Sequence, residues 1–103
     1  MSNEIKIQGI NAIIAIDYEL DENGTFKFRE LVNKLKNLSE SNIERIIIDF
    51  KYVNIICSSV LGKLMILYIM YNDKNIKIVL KNLKHSLIEL CSSLKMNDLF
   101  ILE

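Results

Sequence analysis

The chain has 103 residues, half of them hydrophobic and a quarter charged, which suffices for one domain, residues 1–103, with a modest core of its own. Thirteen basic residues balance thirteen acidic ones and no basic cluster with interleaved aromatics occurs, which argues against nucleic acid as a direct ligand and for another protein as the partner. The first residues lack a signal-peptide pattern, and the longest pure apolar run, Leu64 to Tyr71, is far short of the ~20 residues of a membrane span, so a cytoplasmic protein is expected.

Taken in order, Ile5 and Ile7 alternate with Glu4, Lys6 and Gln8, and Gly9-Ile10-Asn11 can turn the chain back into Ala12 to Ile16, which predicts an antiparallel pair. Tyr18 to Gly24 is turn chemistry, with Asn23-Gly24 suited to a tight reversal and Thr25 placed to cap a helix. That helix carries Phe28, Leu31, Val32, Leu35 and Leu38 on one face, and the polar run Ser39-Glu40-Ser41-Asn42 ends it. Ile46-Ile47-Ile48 shows no polar alternation, as expected of a strand covered on both faces in the middle of a parallel sheet, and Asp49 closes it. After Ile55 and Ile56, Cys57-Ser58-Ser59 precedes Leu61, Leu64, Met65 and Tyr68 at helical spacing, so a serine falls where an N-cap belongs. A strand over Ile76 to Leu80, a helix over Leu83 to Leu94 and a short strand at Phe100 to Leu102 complete the chain. From the central strand onward, strand and helix alternate, which predicts an α/β fold: an open mixed sheet, an N-terminal antiparallel pair followed by parallel strands, packed with about three helices.

A helix start exposes unpaired backbone N–H groups at the positive end of the macrodipole, so an anion carried on a serine there is stabilised where it stands. The same serine can equally be a plain cap without chemistry. Ligands of open α/β sheets gather beyond the carboxyl ends of the strands, which would bring the loops after Ile16 and after Asp49, and with them Asp21 and Ser58, to one place.

The stretch I-I-I-D-F-K-Y-V-N-I-I-C-S-S-V-L-G resembles the signature of the STAS family, shared by sulphate transporters and bacterial anti-sigma factor antagonists. The family's motif runs from a hydrophobic strand and Asp/Asn to D-S-S/T-G-L-G opening a helix. Ser58, Ser59, Leu61 and Gly62 match, whereas Cys57 stands for the aspartate and Val60 for the first glycine. A-I-D-Y-E-L-D-E-N resembles the family's G-E-L-D segment, and C-S-S-L-K-M-N-D-L-F-I-L its closing helix, turn and strand. The resemblance implies a regulatory protein-binding module rather than an enzyme. In the family's scheme an unphosphorylated antagonist captures an anti-sigma factor that is also a serine kinase, and phosphorylation of the first motif serine, here Ser58, ends the capture. By resemblance Asp21 edges the partner surface, to which Asn23, Cys57, Ser59, Val60, Lys63 and Ile66 are also assigned. The missing acid at Cys57 and the β-branched Val60 in place of glycine would make Ser58 harder to engage for a kinase built for the usual motif. A non-phosphorylated scaffold subunit of a signalling or transport complex is the alternative.

Three further features have two readings each. Cys57 at a helix start can have a lowered thiol pKa and serve as a nucleophile, or be a small buried residue. Ile66 and Met70 share a helix face with Ser59 and Lys63 opposite a second apolar face, a surplus that suits a partner, a second copy of the chain, or helix packing. Asp17, Glu19 and Asp21 can be imagined as acid/base carboxylates, but nothing beside them supplies a nucleophile and they read as solvated loop charges, Asp21 also as a turn or capping residue. His85, the only histidine, has no visible partner, and Cys57 and Cys91 lack C-x-x-C or histidine pairing, so no disulfide, metal site or cofactor is indicated.

Overall fold

The computed structural model describes residues 3–38 and 42–103. Its elements are β1 (Ile5–Gln8), β2 (Asn11–Ala15), α1 (Thr25–Lys36), β3 (Arg45–Asp49), α2 (Ser58–Asn72), β4 (Lys77–Lys81), α3 (His85–Ser93), a 3-10 turn (Met96–Asp98) and β5 (Ile101–Leu102). The polar run expected to end α1 lies outside the described residues over 39–41. Gly9, at φ +59°, makes the β1–β2 reversal that a side chain would strain.

The five strands form one sheet in the order β1-β2-β3-β4-β5. Only the β1–β2 pair is antiparallel; β2 through β5 run parallel, as the alternation of elements predicted. Each parallel strand lies next to its successor in sequence, and crossovers of one hand therefore stack all three helices on the same side of the sheet. The core lies between that side and the helices. Ala12, Ile14, Ile46, Ile48, Ile78 and Leu80 of the strands meet Phe28, Leu31 and Leu35 of α1, Leu64 and Leu67 of α2, and Leu87 and Cys91 of α3.

This layering corrects the reading of β3 as covered on both faces. Ile46 and Ile48 are fully buried, but Ile47 points the other way and is only half-buried, because no helix crosses that side. An apolar run without alternation here supplies one core face and leaves one hydrophobic residue over.

In α2, Val60, Leu64, Leu67 and Tyr71 form the buried stripe, and the Tyr71 hydroxyl donates to the Leu35 carbonyl, tying α2 to α1. Met65 is not part of that stripe. It is half-buried, on the flank that leads to the solvent side where Ile66 and Ile69 stand 47% and 66% exposed. His85 opens α3 and is not alone: its Nε2 lies 2.9 Å from Glu89 Oε1 one turn later. No helix among the described residues is long and apolar enough to cross a membrane.

Candidate functional site

Beyond the carboxyl ends of β2 and β3 the chain leaves the sheet in two loops, and backbone hydrogen bonds join them. Ile16 N–H donates to Asp49 at 3.0 Å, Leu20 N–H to Ile55 at 3.2 Å, and Cys57 N–H to Leu20 at 2.8 Å, so Leu20 and Ile56 make an isolated parallel bridge past the end of the sheet. Leu20 and Ile56 are both buried, which anchors the bridge in the core. The loop before α1 and the loop before α2 are thereby held in one register.

Glu19 locks the same junction from outside. Its Oε1 accepts the Asn54 N–H at 2.7 Å and the Ile55 N–H at 3.2 Å, while Oε2 accepts the Asn54 side-chain amide at 2.7 Å. The Asn54 amide first, then the backbone donors and more weakly Lys84, hold its carboxyl below the usual range. Glu19 is therefore not the freely solvated loop charge that its spacing implied. The signal was present in the match to E-L-D, but the partner that defines its role lies 35 positions away.

Asp21 has a turn role. Its Oδ1 accepts the Gly24 N–H at 2.9 Å, and its carbonyl accepts the Thr25 hydroxyl at 3.1 Å. Thr25 does not cap α1 as expected: Gly24 occupies the N-cap, Thr25 is the first helical residue, and its hydroxyl turns back to the preceding loop. Glycine is required at 24 because the Glu19 carbonyl passes so close that a Cβ there would lie 1.9 Å from it. This close approach, rather than any need for positive φ, was invisible in the sequence.

At the start of α2 the N-cap is Cys57, not a serine, and its side chain makes no capping bond. Ser58 and Ser59 are the first two helical residues, and both are exposed. Val60 and Leu61 donate to the Cys57 carbonyl at 3.1 Å, which leaves the N–H groups of Ser58 and Ser59 as those without an intrahelical acceptor. The Cys57 thiol lies 3.4 Å from the Thr25 hydroxyl. That hydroxyl, able to turn toward a thiolate, is the main cause of a thiol pKa below its ordinary value; partial burial opposes it, and the N–H groups of Val60 and Ser59 add to it. Among the described residues no base stands beside the thiol: the side chain that it meets at hydrogen-bond distance is a threonine.

The structure thus gathers Asp21, Asn23 and Cys57, with Glu22 and Ile55, around one depression at the foot of α2, with Ser58 next in the chain after Cys57. Ser59 is exposed at the helix start, half-buried Lys63 stands one turn on, and Ile66 lies about 12 Å along the axis from Ser58 at 1.5 Å per residue. Val60 does not belong to this surface. It is 0% exposed and packs in the core, which corrects its assignment to the partner surface. Ile55, 53% exposed in the loop before α2, was not singled out as a site residue in the sequence and lines the depression. Among the described residues no group of three or more His, Cys, Asp and Glu could hold a metal ion.

No curated protein matches the chain. Among solved structures, the anti-sigma factor antagonist SpoIIAA in its unphosphorylated form is similar at a TM-score of 0.69, covering 97% of this chain and 86% of that one at 13% identity, a likeness of fold. The STAS domain profile matches residues 3–103, the span over which the sheet, the three helices and the paired loops at the foot of α2 are built, and the chain belongs to the STAS domain family.

Proposed function

We propose that this chain is a protein-binding regulatory module resembling an anti-sigma factor antagonist, that it captures its partner with the surface at the foot of α2, and that phosphorylation of Ser58 ends the capture. The observation that carries the reading is the position of Ser58: an exposed hydroxyl on the first residue of a 15-residue helix, beside a loop junction fixed by the Leu20–Ile56 bridge and the Glu19 clamp. An exposed serine is open to a kinase, and rigid surroundings keep a docking surface preformed. Phosphate adds ~ -1.5 to -2 charges at neutral pH. At the first turn of α2 that charge is compatible with the fold, since the free N–H groups and the dipole favour it, but it opposes an interface built around a neutral hydroxyl beside Asp21. Asp21, Asn23, Cys57, Ser59, Lys63 and Ile66 are the side chains assigned to the partner surface, with a serine-kinase anti-sigma factor as the partner class.

The test is incubation of the purified chain with such a kinase and ATP, followed by site-mapping mass spectrometry. Phosphate on Ser58 is the expected result, and phosphate on Ser59 alone reverses the assignment. Cys57 at the place of the family's aspartate favours a second reading, a scaffold subunit that binds without being phosphorylated. Intact partner binding with no phosphate incorporated would select it.

A further inference from the structure

The loop from β3 to α2 leads directly to Ser58. Phe50 and Val53 anchor it in the core, both fully buried, but its backbone polar groups have to be met from elsewhere. Two side chains of opposite charge meet four of them. Glu19 takes the N–H groups of Asn54 and Ile55. Lys84 Nζ donates to the Lys51 carbonyl at 2.9 Å and to the Val53 carbonyl at 3.2 Å. Neither carbonyl accepts from a backbone N–H among the described residues. Hydrogen bonds to ionised groups are the stronger kind. Because β3 lies between β2 and β4, the loop is gripped from both neighbouring connections, by Glu19 before α1 and by Lys84 before α3.

Lys84 is aimed at this loop by its own element. Leu83 before it and Leu87 after it are buried, which fixes the entry to α3. Lys84 is the N-cap of that helix, with extended backbone, and its carbonyl accepts the Leu87 and Ile88 N–H groups at 2.9 and 3.0 Å. The side chain plays no part in capping, and its ammonium reaches 31 and 33 positions back along the sequence. Asn82 of the same connection, left-handed at φ +59°, makes a second tie: its amide donates to Asp49 Oδ1 at 3.0 Å, which also accepts the Lys51 N–H at 2.9 Å.

We propose that Lys84 is a positioning residue for the Ser58 surface. It and Glu19 hold the β3–α2 loop between them, and the loop sets Ile55 and Cys57 in the depression and Ser58 at the helix start. The inference rests on the reading of that surface as the place of partner capture, and it brings the start of α3, which lends no side chain to the depression, into control of the site. A loop held in shape before the partner arrives does not have to be ordered during binding, so releasing Lys84 weakens capture without removing any contact with the partner.

Lys84→Met keeps the length of the side chain and removes its charge and donors, whereas Lys84→Arg keeps both. Amide hydrogen exchange on the full free chain, followed by NMR, is expected to be at least threefold faster at Asn54 and Ile55 in Lys84→Met and near native in Lys84→Arg. Exchange at Ile46 and Ile48 of β3, unchanged in both, shows that the fold is kept; Lys84→Gln replaces Lys84→Met if it is not. Affinity for a serine-kinase anti-sigma factor, measured by calorimetry, is expected to fall at least fivefold in the neutral variant and to return in Lys84→Arg. Native exchange at Asn54 and Ile55 in the folded neutral variant overturns the inference, and so does faster exchange there with partner affinity unchanged. A native chain that captures no such kinase overturns the proposed function instead, and the exchange rates then decide by themselves whether Lys84 holds the loop.

Discussion

The hydroxyl of Thr25 and the thiol of Cys57 stand 3.4 Å apart, joining the first residue of α1 to the N-cap of α2 across 32 positions of sequence. Two helix starts are thus coupled at the point where the partner surface is proposed. The coupling is readable through the thiol. Thr25→Val removes the main cause of the lowered pKa and should move it up toward its ordinary value of 9.0. Below that pH less thiolate is then present, and alkylation of Cys57 should be slower than in the native chain. Rates against iodoacetamide as a function of pH measure the shift, with Cys91, buried and with its pKa raised by burial, as the unreactive internal control.

Ser58→Ala and Ser58→Asp separate fold from charge. Because Ser58 is the first helical residue and not the N-cap, the alanine form should lose less than ~0.5 kcal/mol of stability in denaturant titration, against the ~1 kcal/mol typical of losing a serine cap. It should still capture the partner. The aspartate form should bind at least tenfold more weakly, about 1.4 kcal/mol, by calorimetry. Equal affinity of the two variants would remove charge from the switch.

The two departures from the family motif have different consequences. Val60→Gly opens a hole in the core and puts glycine in the first turn of α2, which should cost about 3 kcal/mol, with no gain in phosphorylation rate since the side chain is buried. Cys57→Asp supplies the cap acceptor that α2 lacks and should add about 1 kcal/mol while raising the rate at Ser58. Paired urea titrations and kinase assays check both. A native chain phosphorylated as fast as the Cys57→Asp form would make position 57 neutral for the kinase.

Glu19 predicts an acid sensitivity. Its folded pKa is depressed, so its contribution to stability is fully present above the ordinary value of 4.5 and is lost as pH falls through the lower folded value. Glu19→Gln cannot accept as the carboxylate does and should be less stable than the native chain at neutral pH, with the difference vanishing in that acid window. Thermal unfolding of both forms across the range measures it.

Much of this fold was legible in the residues. The alternation of Ile5 and Ile7 with polar neighbours, the apolar spacing of Phe28, Leu31, Val32 and Leu35, and the run Arg45 to Asp49 located β1, α1 and β3 within a residue or two, because periodicity reports which side of an element meets the core. The fold class followed from the order of those elements. Helix starts were less legible. Thr25 and Ser58 each read as caps one residue late, since capping depends on the backbone angles of a single residue, and Gly24 and Cys57 take those positions instead.

What the sequence determined by itself was which elements form and that a serine pair opens the second helix. Only the tertiary structure decided what those serines stand beside and which apolar residues are left over. Glu19 became a clamp because Asn54 and Ile55 are brought under it, and Val60 left the surface because its turn of α2 faces the sheet. Ile47 read as covered in one dimension and is only half-buried in three. Local pattern reports hydrophobicity, whereas the side on which each crossover places its helix decides whether a hydrophobic residue is covered, and that is set by chain connectivity across the whole sheet.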